Sequence, residues 1–138
     1  IGSGNIAFRH LQSILDNTKI NKIYIYDINK SIYAKLYKLL NYSKNINKLI
    51  FVHDLKKINI KKFYLALITS YAYKRFNIID LINKQFKIKF FLIEKVVENK
   101  VTSLFKLKKL KLISYVNLHM RMMKPYKIIK KKSKKIIP

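Results

Sequence analysis

What most constrains this chain is the alternation of short, continuously apolar runs with segments of helical period. The runs "KIYIYD" (22–27), "LIFV" (49–52), "FYLALI" (63–68), "IKFFLI" (88–93) and "KLISYVNL" (111–118) are β-branched and aromatic, the composition of strands. The segments between them repeat their apolar positions at helical spacing. Ile6, Leu11, Ile14 and Leu15 do so within 5–15, and Ile32, Leu36, Leu39 and Leu40 within 31–40. Ile78, Ile79, Ile82 and Phe86 do so within 76–86, and 101–110 is also helical in character. Ser31 stands near the start of the second helix as a candidate cap. The stretch after Pro125 reads as a basic helix or tail. Strands that are apolar throughout and separated by helical crossovers belong to a parallel sheet covered on both faces. With right-handed crossovers the layout is α/β and doubly wound, Rossmann-like. Only Ile1 precedes the first turn, so the expectation is a fold truncated at its first strand and a chain that is a piece of a longer protein.

Composition bounds the chemistry. A chain of 138 residues, 50% of them hydrophobic, is long enough for a core. Without Cys, neither a disulfide framework nor a thiolate metal site is available. His10, His53 and His119 lie far apart in sequence, so no zinc site is expected. The net charge of +25 points to polyanions. However, only Arg9, Arg75 and Arg121 among the 31 basic residues are arginines, and Lys, Ile and Asn all have A/T-rich codons. Dedicated nucleic-acid readers favour the arginine fork. Codon bias is therefore the preferred reading, and a non-catalytic basic module binding nucleic acid or another polyanion is the alternative. No apolar run approaches the ~18 residues of a membrane span, and no signal peptide pattern is present. The expected location is cytoplasmic.

The two glycines of the chain both fall in its opening, "IGSGNIAFRH". A dinucleotide-binding turn needs one Gly for the tight turn, a second for close approach of the pyrophosphate, and Gly or Ala where helix meets strand. Gly2, Gly4 and Ala7 have that spacing. Phosphates would then face the amides of Asn5 and Ile6 at a helix N-terminus. Asp27 closes "KIYIYD", 23 residues beyond Gly4, where an acid would accept hydrogen bonds from the ribose. A 2′-phosphate would be repelled by that carboxylate, which favours NAD over NADP, although nearby Lys30 softens the preference.

From these residues the sequence resembles the Gfo/Idh/MocA oxidoreductases, the glucose-fructose oxidoreductase and inositol dehydrogenase group. "IGSGNIAFRHLQSI" is similar to the opening of that family, including the Arg9-His10 pair in the first helix. "LALITSYAYK" (65–74) resembles the fourth-strand segment ending in Ala-Thr-Pro, and "FFLIEKVV" (90–97) the fifth-strand segment ending in Glu-Lys-Pro. "SYVNLHMRMMKPYKIIK" (114–130) resembles the sixth strand and the Arg-bearing segment after it. The resemblance covers essentially the whole chain and the first third or so of a family member. It implies NAD(P)-dependent hydride transfer to or from a sugar, cyclitol or related polyol.

The resemblance also implies a division of roles. Residues 1–122 would be the dinucleotide-binding domain, and 123–138 a basic tail or the start of a connection to a C-terminal substrate domain. That missing domain would hold the sugar-like substrate and a possible homo-oligomer interface, so this chain alone is expected to be inactive. By position Lys95 would serve the proton side of the reaction, oriented by Glu94. Thr69, Ser70 and Arg121 would line the cofactor cleft. The chain departs from the family at Ser70 and Val96, where proline is usual, and near Lys74, where the family often has His. His10 and His119 are expected to pack or face solvent, and "KKKSKK" (130–135) to be a solvated charge run.

Overall fold

The computed structural model describes residues 1–73, 75–118, 123–125 and 127–128. In chain order its elements are α1 (Asn5–Leu15), β1 (Ile23–Tyr26), α2 (Ser31–Leu40), β2 (Leu49–Val52), β3 (Lys62–Ile68), α3 (Arg75–Gln85), β4 (Lys87–Glu94), α4 (Val101–Lys109) and β5 (Ser114–Asn117). Two single 3₁₀ turns, Ile46–Lys48 and Leu55–Lys57, precede and follow β2. All strand pairing is parallel: β1 with β2, and β3-β4-β5 in that order.

Ile1 and Gly2 stand between these two sheets. The Ile1 nitrogen donates to the Leu67 carbonyl at 2.7 Å, and the Thr69 amide donates to the Ile1 carbonyl at 2.9 Å. That is the hydrogen-bond pattern of a parallel ladder centred on Ile68. On the other side the Gly2 amide donates to the Tyr26 carbonyl at 2.9 Å. These three bonds align β2-β1 and β3-β4-β5 side by side, so the C-terminal ends of the strands share one edge.

The runs of β1 and β2 pack on both faces, which is why they lack a polar side. From β1 and β2, Ile23, Ile25, Leu49 and Phe51 pack with Leu11 and Leu15 of α1 and Leu36 and Leu40 of α2. The alternate residues Tyr24, Tyr26, Ile50 and Val52 join Ile79 and Ile82 of α3 and Phe91 and Ile93 of β4. Helices thus cover opposite faces, the doubly wound α/β arrangement expected from the alternation. Leu40, Ile68 and Ile79 are wholly buried, and each such side chain contributes about 1.5–3 kcal/mol relative to exposure.

The structure shifts two local expectations and adds an element that none foresaw. Asn29 rather than Ser31 opens α2, because its Oδ1 accepts from the Ser31 amide at 3.1 Å and the Ser31 hydroxyl at 2.8 Å. The last strand begins at Ser114 instead of residue 111, because Lys111 takes a left-handed conformation (φ 51°) just after α4 ends. Asp54 holds the second 3₁₀ turn by accepting from the Lys56 amide at 2.9 Å, a small element that apolar periodicity cannot signal. Most of the stretch after Pro125 lies outside the described residues.

Candidate functional site at the strand ends

The two glycines have different surroundings. Gly2 has φ +86°, and a Cβ there would lie 2.7 Å from the Ser70 amide nitrogen and 2.9 Å from its Cα. Glycine is required because the chain turns in the left-handed region against the backbone leaving β3. Gly4 is extended (φ −72°, ψ −170°), and a Cβ there would meet nothing within 4 Å. The protein's own packing therefore does not demand a glycine at this position. The helix α1 starts immediately afterwards with no side-chain cap, Asn5 and Ile6 are exposed, and Ala7 is buried. The Thr69 hydroxyl is within hydrogen-bond distance of the carbonyls of Ile1 (3.0 Å) and Gly2 (2.8 Å). It clamps the turn at the strand end where the sequence placed it.

Asp27 lies beside this turn at the end of β1. Its Oδ2 accepts from the Ser3 amide (2.9 Å) and the Ser3 hydroxyl (2.5 Å), and its Oδ1 accepts from the Asn29 amide (2.9 Å). A carboxylate has about four lone-pair positions, so one on Oδ1 is left for another donor. Ser3 is buried, and it converts the sequence distance between the glycines and the acid into a direct contact. The Tyr33 hydroxyl ties the neighbouring strand ends, accepting from the Asp27 amide at 3.1 Å and lying 2.6 Å from the Val52 carbonyl. Burial raises its pKa above the ordinary phenol value.

The ends of β3, β4 and β5 are joined by side chains that the motifs did not single out. Arg75, buried at the start of α3, donates from Nε to the Ser70 carbonyl at 3.1 Å and from Nη1 to the carbonyls of Glu94 and Val96. Burial lowers its pKa, opposed by the charges of Glu94 and Glu98. Glu98, also buried, accepts from the Phe76 amide at 2.8 Å and so holds the first turn of α3. The Ser70 hydroxyl oxygen is buried with no hydrogen-bond partner.

Among the described residues the Glu94 carboxylate makes no ion pair with the Lys95 ammonium. That carboxylate turns inward, with Oε1 2.7 Å from His10 Nε2 and accepting from Asn117 Nδ2. Burial pushes the Glu94 carboxyl up, but the Asn117 and His10 hydrogen bonds and the charge of His10 bring it below its ordinary value. His10 is thus a hydrogen-bond partner of Glu94 from α1, half-buried against the strand ends. Lys95 is exposed, its peptide with Val96 is cis, and its ammonium pairs with no carboxylate among the described residues. Arg121, His119, Lys74 and the 130–135 run lie outside the described residues.

Sequence reasoning passed over Ser3, Tyr33, Arg75 and Asn117. For Arg75 a signal existed: it is one of three arginines in a chain that otherwise uses lysine. A buried fork bonding several carbonyls needs the guanidinium. Two broad surface hollows lie elsewhere, the second sharing Tyr33 with this edge. One is floored by Phe63, Phe86 and Ile88 at the opposite ends of the strands, and the other by Tyr33, Tyr37 and Phe51 outside β2. The first is lined by lysines and the second by tyrosines and a lysine, with no carboxylate or imidazole in either, so the polar groups at the strand ends are the stronger candidate. Among the described residues no group of three His, Asp or Glu could hold a metal, and no helix is long and apolar enough to cross a membrane.

Fold and site together define an α/β domain with a polar crevice at the carboxyl ends of parallel strands. No family model, curated protein or solved structure matches the chain.

Proposed function

We propose that this crevice binds a nicotinamide dinucleotide, NAD in preference to NADP, as the cofactor domain of an oxidoreductase similar to the Gfo/Idh/MocA group. The observation that carries the reading is the contrast between the two glycines. Gly2 is packed against Ser70, whereas Gly4 faces open space at the start of α1, which is where a phosphate would approach the backbone. The fit extends outward from that point. The amides of Asn5 and Ile6 would receive the pyrophosphate, and the free Oδ1 lone pair of Asp27 would receive a ribose hydroxyl. The unpartnered Ser70 hydroxyl supplies one more polar group at the same edge.

The cofactor, when bound, supplies the hydride chemistry. Lys95, exposed at the end of β4, would hold and release the proton of the reacting hydroxyl at its Nζ. Glu94 would act on Lys95 only through the backbone, by fixing the strand end through His10 and Asn117. The substrate class, a sugar, cyclitol or related polyol, rests on the family resemblance. So does a homo-oligomer formed through a further domain, whereas a cytoplasmic location rests on the lack of a membrane-length apolar helix among the described residues. The test is NADH titration by fluorescence at high salt. Gly4→Ala and Asp27→Ala are each expected to weaken binding, NADPH to bind less tightly than NADH, and ADP-ribose to compete. NADH affinity equal to the parent's in both variants would remove the assignment.

A further inference from the structure

A second surface stands apart from the crevice. Ala66, Ile68, Phe91 and Ile93 of β3 and β4 face the core beneath α3. Outside that core, Phe90 of β4 meets Tyr64 of β3 and Tyr115 of β5, a ladder of rings with one from each strand. Tyr64 meets Phe90 edge-on with centroids 5.3 Å apart, and Phe90 lies 6.4 Å from Tyr115. Tyr64 is 70% exposed and Tyr115 59%. Leu65 beside Tyr64 is also exposed, so two successive residues of β3 face out where alternation would bury one. The Lys89 ammonium lies 5.2 Å from the centroids of both Tyr64 and Phe90.

We propose that this open face of β3-β4-β5 is a stacking platform for single-stranded nucleic acid. Rings on adjacent strands, the outer two exposed, offer π-faces to successive unstacked bases, and Lys89 alongside them offers a cation to the phosphates. Lys89 selects this occupant over an apolar protein partner. Covering the rings with apolar surface would strip water from its charge, whereas a phosphate would pair with it.

The distribution of acids agrees. All six are engaged away from the ladder. Asp16 accepts from Ser43, Asp27 from Ser3, Asp54 from the Lys56 amide, Asp80 from Lys84, Glu94 from Asn117 and Glu98 from the Phe76 amide. The platform is therefore left without a competing carboxylate. Codon bias would account for how many lysines the chain has; it would not account for two ring contacts that link three strands.

The experiment is fluorescence anisotropy with labelled 12-nucleotide oligo-U, oligo-dT and a duplex of equal length, using the full chain over a salt series. Since a chain of +25 will attract any polyanion, the readouts are single-strand preference and the effect of the rings. Both single strands should bind more tightly than the duplex. Tyr64→Ala and Tyr115→Ala should each weaken single-strand binding about tenfold at fixed salt, while Tyr64→Phe retains it. Lys38→Ala on α2 is the control for general charge and should leave the single-strand preference intact. Excess ADP-ribose should leave oligonucleotide binding unchanged, which separates this surface from the crevice. Equal duplex and single-strand affinity with unaffected tyrosine variants would overturn the proposal in favour of charge alone. Failure to bind oligonucleotide would also overturn it. In that case, a dimer that dissociates in Tyr64→Ala on sedimentation would identify a second copy as the occupant.

Discussion

Alanine at Gly2 and alanine at Gly4 should have opposite consequences. At Gly2 the backbone has φ +86°, where a side chain costs about 1–2 kcal/mol. The added Cβ would also lie 2.7 Å from the Ser70 nitrogen, so the turn must retreat from β3. That movement loosens the bonds from Thr69 to the carbonyls of Ile1 and Gly2, each contributing about 0.5–1.5 kcal/mol. The expected total for Gly2→Ala is roughly 2–4 kcal/mol, a fall in Tm on the order of 6–12 °C for a domain of this size. At Gly4 the backbone is extended and the Cβ meets no neighbour within 4 Å. Gly4→Ala should leave the fold unharmed, or stabilise it by about 0.4–1 kcal/mol through the unfolded chain. Its effect should appear in NADH affinity instead. Thermal melts followed by circular dichroism, paired with NADH titration, separate the two. The reasoning fails if Gly2→Ala melts with the parent, or if Gly4→Ala loses as much stability as Gly2→Ala.

Further outcomes follow from other contacts. Arg75→Ala should cost about 3–5 kcal/mol in urea unfolding, because it strands buried carbonyls and leaves the buried Glu98 without its neighbouring cation. Arg75→Lys should recover little of this, since an ammonium cannot reproduce the fork. Glu94 has a folded pKa below its ordinary 4.5, so its stabilisation is complete above that value and is lost as pH falls through the lowered one. Glu94→Gln should therefore flatten the acid limb of a stability–pH curve, and an unchanged limb would contradict the assignment. Ile79→Ala, at a wholly buried position in the larger core, should cost about 2–5 kcal/mol by chemical denaturation.

Much of the architecture was legible in the chain itself. The helices at 5–15 and 31–40 and the strand at 49–52 have the bounds that apolar periodicity assigned to them. The spacing of Gly2, Gly4 and Asp27 put the turn and the acid at the same strand ends, where Ser3 bonds Asp27, because turn chemistry and strand length act over short sequence distances. Side-chain partners were another matter. Glu94 precedes Lys95 in sequence but faces His10, 84 residues away, and Asn117, 23 residues away. The Thr69 hydroxyl turned to Ile1 and Gly2, and Arg75 gathered carbonyls from two strand ends. The ring ladder likewise required the register of three strands. Periodicity states which face of an element is apolar. Which groups meet at the strand ends depends on strand order and the seating of α1 against them, and those are set by packing between residues far apart in the chain.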